Sequence, residues 1–509
     1  MNFIGYSWLS NRYKVSIAQD YPVKSSVGKA RATHNKNTLR EEIYPEGYRP
    51  DSDLRGHLTF AFRYEGVNLE FLSRLFSQQI VSTELREWIA AEPTGTYARR
   101  AGFLYEWLTE QPLASANTVF GNYVDALDPN VQVVGTSTNN VRWRVRDNLP
   151  GSRAFCPTVR RTSAIRITEN IDLPGNIKNL ESDFGADLLM RSAVWLTIKE
   201  SRASFQIEQE QHQQDRIRRF ATVMDREIGK HTNPLSREAL EVIQRGILGD
   251  SALRYGFRQS PVYVGHTSAY EPIVDYIAPD SENVEAMLAG LSEFLNRTPS
   301  VHSIIRAAIA SFAFVYIHPL ADGNGRISRF LVNDILRRDG VVPPPLVLPI
   351  SATITDSAYA RADYDRVLEI FSRPFMQLYG TDYRFGELKT APDGVQYNLQ
   401  FDRYADATHA WQYPDLTEHV AYMAGIIEMT LQREMRKEAS LLLANDRARQ
   451  AIKAFLEAPN NELDSIIRSV QQSGYTVSNQ LLKRFPQLAQ QPNLQAHIVQ
   501  AVRDAFASD

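Results

Sequence analysis

Residues 318–329, HPLADGNGRISR, bring together the side chains that chemistry on a nucleotide phosphate requires. The segment holds a histidine, an aspartate, two glycines around an asparagine, and two arginines. Transfer at a phosphorus atom needs charge neutralisation, in-line positioning and an acceptor for the proton of the attacking hydroxyl, with little covalent work by the protein. The segment supplies groups for all three tasks, so we predict that it binds and activates a nucleotide.

Each charged or titratable group of this segment suits one task. His318 titrates near neutrality when unperturbed, so its neutral imidazole can accept the hydroxyl proton as a general base. Asp322 is a hard oxygen ligand, and Mg²⁺ in proteins takes one or two carboxylates together with phosphate oxygens. Arg326 and Arg329 lie on neighbouring positions of one helical turn, where their guanidinium groups can grip phosphate oxygens bidentately.

The triplet Gly323-Asn324-Gly325 predicts an anion-binding turn, because glycine tolerates a positive φ and exposes backbone N–H groups. The residues after it, RISRFLVNDILRR, have apolar side chains at helical spacing, and the N-terminus of such a helix also favours phosphate. The alternative is an ordinary Asp-Gly-Asn-Gly turn between two helices. The ordered occurrence of the histidine and both arginines around it favours the phosphate site.

Two further elements must place these groups. Residues 302–317, HSIIRAAIASFAFVYI, are apolar at helical spacing and predict a buried helix that leads to His318. The segment from Phe257 to Pro272 alternates apolar residues around Val262 and Val264, and it predicts a short β-hairpin. A plain surface hairpin without a role at the site is the alternative.

The segment 318–329 resembles the signature of the Fic domain family, H-P-F-x-[D/E]-G-N-G-R-x-x-R, and departs from it only at Leu320, where an apolar filler is retained. The resemblance implies a mainly α fold: a Fic-type helical core with a β-hairpin flap, a mixed α/β N-terminal region and a helical C-terminal region. It also implies transfer of AMP from ATP to a Tyr, Thr or Ser hydroxyl of a target protein, with Mg²⁺ as cofactor and pyrophosphate released.

The resemblance further implies residue roles. His318 would deprotonate the hydroxyl, and Asp322 would hold Mg²⁺ against the α and β phosphates. Asn324 and the loop amides of its flanking glycines would stabilise charge at the α phosphate. Arg326 and Arg329 would hold the β and γ phosphates.

The hairpin resembles the family's flap, so Tyr263, Val264 and Gly265 would cover the nucleotide and align the target by strand pairing. The intact Gly-Asn-Gly favours nucleotidyl over phosphoryl transfer, since kinase-like relatives carry a bulkier residue at the second glycine. Transfer of UMP or phosphocholine by the same fold is a variant of this interpretation.

A second motif points to regulation. SFQIEQE, from Ser204 to Glu210, resembles the family's inhibitory motif [S/T]-x-x-x-E-[G/N] and lies on a predicted helical run, residues 201–228. In the family such a glutamate, here Glu208, pairs with the second signature arginine, here Arg329, and so blocks the γ phosphate. Gln209 stands where the family has Gly or Asn.

Three alternatives accompany this interpretation. Glu208 could be one charge on a solvent-facing polar helix, because its neighbourhood is rich in Gln, Glu and Asp. It could also orient water for removal of AMP from a modified target. The pair Glu65-Gly66 is a competing candidate, but Ala61 stands where the motif has Ser or Thr.

Composition sets broad limits. The 509 residues are 43% hydrophobic and 23% charged, with net charge −3 and pI about 6.4, so no overall field favours nucleic acid or an anionic membrane. The single cysteine, Cys156, forms no internal disulfide, and the N-terminus has too short an apolar stretch for a secretory signal. We expect a soluble cytoplasmic protein.

The predicted organisation has three parts: an N-terminal mixed region (1–195), a Fic domain (196–375) with inhibitory helix, flap and catalytic loop, and a helical C-terminal domain (390–509) after a linker-like APDG. The C-terminal helices have the outline of a helix-turn-helix, with Lys483 and Arg484 as sparse basic residues. Two function classes follow. One is an AMP transferase inhibited by Glu208; the other is a non-catalytic nucleotide sensor that binds DNA or a partner through these helices. A homo-oligomer is compatible with either.

Overall fold

A computed structural model describes residues 2–19, 22–36, 39–113, 120–210, 212–250, 252, 254–267 and 272–507. Helices dominate these residues and the strands form small sheets, so the predicted mainly α fold with a mixed N-terminal region is confirmed. No described helix has the length and apolar character that spanning a bilayer requires.

The described residues of the N-terminal region combine two small sheets with seven α-helices. The larger sheet has the order β1-β2-β4-β3, with β2 parallel to β4 and the other pairs antiparallel, and the smaller has the order β5-β7-β6. The elements are β1 (Asn2–Ile4), β2 (Val23–Gly28), β3 (Ala32–Lys36), β4 (Leu39–Pro45), β5 (Val124–Asp125), β6 (Thr138–Asn140), β7 (Val145–Asp147), α1 (Tyr6–Tyr13), α2 (Leu54–Phe60), α3 (Leu69–Phe76), α4 (Gln79–Ala91), α5 (Thr96–Thr109), α6 (Ser163–Thr168) and α7 (Leu173–Phe184).

The central region carries the segment 318–329. Its elements are α8 (Ala186–Ile207), α9 (Gln214–Glu227), α10 (Arg237–Leu248), β8 (Tyr263–Thr267), β9 (Pro272–Ile277), α11 (Val284–Arg297), α12 (Ser303–Ile317), α13 (Asn324–Arg338), α14 (Ile350–Thr355) and α15 (Ala358–Tyr379). Helix α12 is the predicted buried helix, and almost all of its side chains are buried because it is apolar on every face. Helix α13 packs against it, so the turn between them is held by a rigid pair.

Two predicted elements differ in extent. The predicted helical run 201–228 is divided into α8 and α9, because the chain turns after Glu208 with Gln209 in a left-handed conformation. The predicted hairpin, residues 257–272, lies further along the chain: its strands are β8 and β9, and its turn, residues 268–271, lies outside the described residues.

The C-terminal region begins with a hairpin and continues as helices. Its elements are β10 (Tyr383–Thr390), β11 (Gln396–Phe401), α16 (Tyr404–Gln412), α17 (Thr417–Met429), α18 (Arg436–Lys453), α19 (Asn460–Gln472), α20 (Asn479–Arg484), α21 (Pro486–Ala489) and α22 (Pro492–Phe506).

The predicted linker at APDG, residues 391–394, is instead the turn between β10 and β11, whose alternating sequences pair as antiparallel strands. Helices α16 and α17 share one apolar core with α12, whereas residues 448–506 form a separate small core.

We predict that the packing of α12 dominates the stability of this region. Phe312 is 1% exposed, and its ring lies 4.9 Å from that of His419 on α17. Phe312→Ala should lower the free energy of unfolding by about 3–5 kcal/mol, measured by urea denaturation. Tyr359→Ala, at a residue that is 83% exposed, is the control and should change it by less than about 0.5 kcal/mol. Equal effects of the two substitutions would contradict the prediction that the packing of α12 dominates the stability of this region.

Candidate active site

The turn between α12 and α13 is shaped by two residues in left-handed conformations. His318 ends α12 with φ 49° and ψ 58°, and Gly323 precedes α13 with φ 92°. The chain therefore reverses within five residues. The imidazole of His318 and the N-terminus of α13 lie at the two ends of this short turn.

Asn324 latches the turn. Its Oδ1 accepts a hydrogen bond from the backbone N–H of Leu320 at 3.0 Å, and its Nδ2 donates to the Leu320 carbonyl at 2.7 Å. This differs from the expectation that the amide faces a phosphate. No described side chain caps the first N–H groups of α13, so these groups are the better candidates for stabilising an anion.

His318 is held neutral. Burial and the charge of Arg258 lower its pKa to about 4, against the smaller opposing effects of the Val315 carbonyl, Glu208 and Asp322. Its Nδ1 lies 3.3 Å from the Val315 carbonyl oxygen, which can only accept a hydrogen bond. The proton therefore belongs on Nδ1, and Nε2 keeps the lone pair that a general base needs.

Asp322 presents its carboxylate towards solvent. The side chain is 51% exposed, and Oδ1 lies 3.2 Å from Nη2 of Arg326. No cluster of three or more metal-binding side chains occurs among the described residues. A single exposed carboxylate fits Mg²⁺ that arrives with a nucleotide, because phosphate oxygens and water complete its shell.

Arg326 is a buried cation with unused donors. Its guanidinium lies 4.8 Å from the ring centre of Phe205, and Nη2 lies 3.3 Å from Oε2 of Glu210. In the described part of the chain, Nε and Nη1 have no hydrogen-bond partner. Buried donors without partners are costly, and a phosphate group would satisfy both.

Arg329 is bound through Nε and Nη2 by residues at the end of α8. Its Nε donates to Oγ of Ser204 at 2.7 Å, and its Nη2 donates to the Ser204 carbonyl at 3.1 Å and to Oε1 of Glu208 at 2.7 Å. Desolvation would raise the pKa of Glu208, but Arg329 and, more weakly, Arg326 and His318 lower it overall. Glu208 is thus a carboxylate seated on the arginine, and not a charge on a free polar helix.

The second glycine of the triplet has a different role from the first. Gly323 has the predicted positive φ, whereas Gly325 lies within α13 and does not. A Cβ atom on Gly325 would lie 2.1 Å from Oε1 of Glu208. The absence of a side chain at Gly325 therefore leaves the space that the Glu208 carboxylate occupies.

The turn after Glu208 requires a left-handed residue at position 209, where the family motif has Gly or Asn. The N–H of Glu210 donates to the Phe205 carbonyl, and the N–H of Gln209 donates to the Gln206 carbonyl. With Gln209 at φ 60°, these bonds form the Schellman motif that commonly ends a helix on a left-handed glycine. Gln209 keeps the geometry without the glycine.

The flap residues are divided between packing and exposure. Val264 is 40% exposed, as expected of a strand that offers an edge. Tyr263 packs its ring against Phe385 of β10, 5.5 Å between ring centres, so the second hairpin supports the flap. At Gly265, where the strand register shifts, a Cβ atom would collide with the Ile273 carbonyl.

Three residues at the site were missed by sequence reasoning. Gln244 is buried and connects the Asp322 carbonyl (2.9 Å) to the N–H of Gly256 (2.7 Å), and its signal is a lone amide on the apolar face of α10. Arg258 contacts the turn at His318, and Glu210 contacts Arg326.

The competing Glu65 lies elsewhere. It is buried in the N-terminal region, where its Oε2 accepts a hydrogen bond from the N–H of Tyr6 at 2.8 Å and its backbone carbonyl accepts one from Arg160 at 2.8 Å.

Residues 234–336, which include the whole segment 318–329, match the model of the Fic/DOC family. This part of the chain is similar to the Fic/DOC domain. Helices α10 to α13 and the flap lie within the matched range, and α8 with Glu208 precedes it.

Relatives of the Fic domain carry the name protein adenylyltransferase. Protein adenylyltransferase fic-1 of Caenorhabditis elegans is 29% identical over 182 residues, covering 33% of this chain and 32% of that protein. The protein of the same name from Caenorhabditis briggsae is 32% identical over 158 residues, covering 30% and 27%. The chain thus spans a third or less of these curated relatives. A Fic family protein of Desulfovibrio desulfuricans G20 has a crystal structure with 19% identity and TM-score 0.38, covering 64% of this chain and 87% of that one.

We predict that the imidazole of His318 titrates with a midpoint near pH 4 in the nucleotide-free protein, because burial and Arg258 disfavour its charged form. NMR of ¹⁵N-labelled histidine, assigned with His318→Asn, measures this midpoint. The group is protonated in the unfolded chain at a higher pH than in the folded one, so its contribution to stability is lost as pH falls from about 6.5 towards 4. A titration midpoint at or above pH 6.5 would contradict the prediction that the protein holds the His318 imidazole neutral.

Gln209→Gly should raise the free energy of unfolding by up to about 1 kcal/mol, because glycine removes the left-handed strain at φ 60°. Gln206→Gly is the matched control, one turn earlier in α8, and should lower it by about 0.5–1 kcal/mol. Thermal unfolding measures both. Changes of the same sign would refute the role of the Schellman turn.

Proposed function

We propose that this protein is a protein adenylyltransferase, which transfers AMP from ATP to a hydroxyl of a target protein, and that Glu208 inhibits it. The carrying observation is the neutral imidazole of His318 at one end of a turn whose other end is an uncapped helix N-terminus beside Arg326. A pure nucleotide sensor has no use for the base. The names of the relatives support the reaction, and the matched stretch covers 32% and 27% of those two proteins.

The proposed reaction follows from these groups. Nε2 of His318 accepts the proton of the target hydroxyl while the hydroxyl oxygen attacks the α phosphorus of ATP. The new P–O bond forms as the bond between the α phosphorus and the bridging oxygen breaks, and pyrophosphate leaves with the electron pair. The first N–H groups of α13 face the charge that develops on the α phosphate.

The remaining groups hold the nucleotide. Asp322 would bind Mg²⁺, which neutralises phosphate charge when bound. The two unpaired donors of Arg326 face a phosphate, and the exposed edge at Val264 offers backbone groups to the target. The triphosphate also brings negative charge towards His318, which would raise its pKa from about 4 towards the range of an effective base.

Inhibition would arise from competition for one guanidinium group. The Arg329 donors that would bind the γ phosphate are occupied by Ser204 and Glu208. A carboxylate and a phosphate oxygen cannot share the same donors, so ATP binds productively only when Glu208 leaves. Hydrogen bonds to charged groups contribute about 1.5–3 kcal/mol, which corresponds to about a 10- to 100-fold effect.

We predict that Glu208→Gly raises labelling by α-³²P-ATP and Mg²⁺, of the protein itself or of a lysate protein, by about 10- to 100-fold. His318→Ala in the same background should abolish labelling. Glu210→Gln is the matched control: it removes a nearby carboxylate that is paired with Arg326 and Arg216 but not with Arg329, and it should raise labelling less than Glu208→Gly does. Mass spectrometry of the labelled protein identifies the added group and the acceptor residue.

Other outcomes would decide against the proposal. Labelling that persists in His318→Ala would show that the base is another group. Bound ATP without labelling in Glu208→Gly would favour the nucleotide-sensing regulator, and release of AMP from a modified target by the wild type alone would favour a water-orienting Glu208. DNA binding has weak support, because α20 has only six residues, with Lys483 and Arg484 as its basic side chains.

A further inference from the structure

Arg258 is a buried cation that serves backbone carbonyls. It is 2% exposed, and among the described residues no carboxylate forms an ion pair with it. Its Nε donates to the His318 carbonyl at 2.7 Å, and its Nη2 donates to the carbonyls of Ile317 at 3.3 Å and Pro279 at 2.6 Å. Its Nη1 donates to the Ser260 carbonyl at 3.0 Å.

Burying the guanidinium of Arg258 without a carboxylate partner costs desolvation free energy. Burial lowers the pKa of Arg258 to about 10, and the group therefore stays protonated at pH 7. A buried charge without a counter-ion costs several kcal/mol unless dipoles compensate it. The carbonyls at the C-terminus of α12 carry partial negative charge and supply this compensation.

Those carbonyls belong to the turn that carries the base. The backbone N–H of Arg258 donates to the Pro319 carbonyl at 2.9 Å, and Phe257 pairs with Leu320 as an isolated β-bridge. The carbonyls of residues 317, 318 and 319 therefore all accept hydrogen bonds from residue 258. His318 lies between them in a left-handed conformation that costs a non-glycine residue about 1–2 kcal/mol.

The same guanidinium reaches the base of the flap. Ser260 and Pro279 lie on either side of the β8–β9 hairpin, and their carbonyls accept from Nη1 and Nη2. The planar guanidinium group of Arg258 thus joins the start of the flap, the end of the flap and the turn at His318. Lysine could reach fewer of these acceptors.

We propose that Arg258 is a positioning residue for the proposed transfer reaction: it fixes the backbone of His318 in the conformation that aims the imidazole, and it holds that imidazole in register with the flap. The described hydrogen bonds of the Arg258 guanidinium all go to backbone carbonyls and none to the imidazole, so Arg258 acts through the His318 carbonyl. The inference rests on the proposed function. Small displacements of a catalytic group can cost about 100-fold in rate.

The test uses the full chain in the Glu208→Gly background, with Arg258→Lys, Arg258→Met and Arg306→Met. Arg306 is the matched control: it is also buried, lies on α12, and binds Asp339, Leu295 and Thr298 without contacting the turn. We expect Arg258→Lys to lower kcat at least about 10-fold while KM for ATP changes less than about 3-fold, and Arg258→Met to lower kcat further. Arg306→Met should lose stability with little change in kcat.

A crystal structure of Arg258→Lys supplies a readout that does not depend on activity. We expect His318 to leave its left-handed conformation or its ring to move. An unchanged turn with unchanged kcat would overturn the positioning role, as would an equal loss of kcat in the folded Arg306→Met variant. If Glu208→Gly itself transfers no AMP, the proposed function fails, and the position of His318 in the Arg258→Lys crystal still decides the inference.

Discussion

The site depends on two arginines of α13 that are buried where water cannot satisfy them. Arg326 and Arg329 are each at most 3% exposed, and both need negative partners. In this structure the partners come from the end of α8: Glu208 and Ser204 on Arg329, and Glu210 beside Arg326. The triphosphate of the proposed substrate would offer negative charge to the same two arginines. Under the proposed function, the carboxylates of Glu208 and Glu210 and the triphosphate would therefore compete for these guanidinium groups.

This choice is built into the face of one helix. Glu200, Ser204 and Glu208 are spaced by four residues, so they share the side of α8 that packs on the core. Glu200 is buried and accepts hydrogen bonds from the N–H of Ser351 at 2.7 Å and from its Oγ at 2.5 Å. Burial raises its pKa to about 7, against the lowering effects of those bonds and of Arg329. The contact with Ser351 anchors the helix one turn away from Ser204.

The sequence predicted the groups whose chemistry is local and missed those defined by distant contacts. His318, Asp322 and Gly323 follow from spacing within one turn. The hydrogen bonds of Asn324 could not be predicted in this way, because they are made to the backbone N–H and carbonyl of Leu320, which are the same for every residue type. The part played by Arg258 required knowledge of a fold that brings it to a residue 60 positions away.

The predicted bounds of two elements were wrong for related reasons. The helix break at Gln209 was hidden because a left-handed turn usually carries a glycine signal. The residues APDG have the composition of a linker, and only the pairing of β10 with β11 shows that they form a turn. The Glu208 and Arg329 side chains meet across 121 positions of sequence, a contact that the family resemblance implied and that local patterns do not contain.

The place of Glu208 at the very end of α8 has an energetic consequence. Residues at helix termini unravel at a far smaller free-energy cost than residues in the middle, because few backbone bonds must break. Glu208 follows Ile207, the last residue of α8, so its proposed departure from Arg329 would leave the buried last turn in place, while Glu200 keeps α8 docked on Ser351. Under the proposed inhibition, release of Arg329 would thus need only a local movement of the chain after α8, on the timescale of a loop motion.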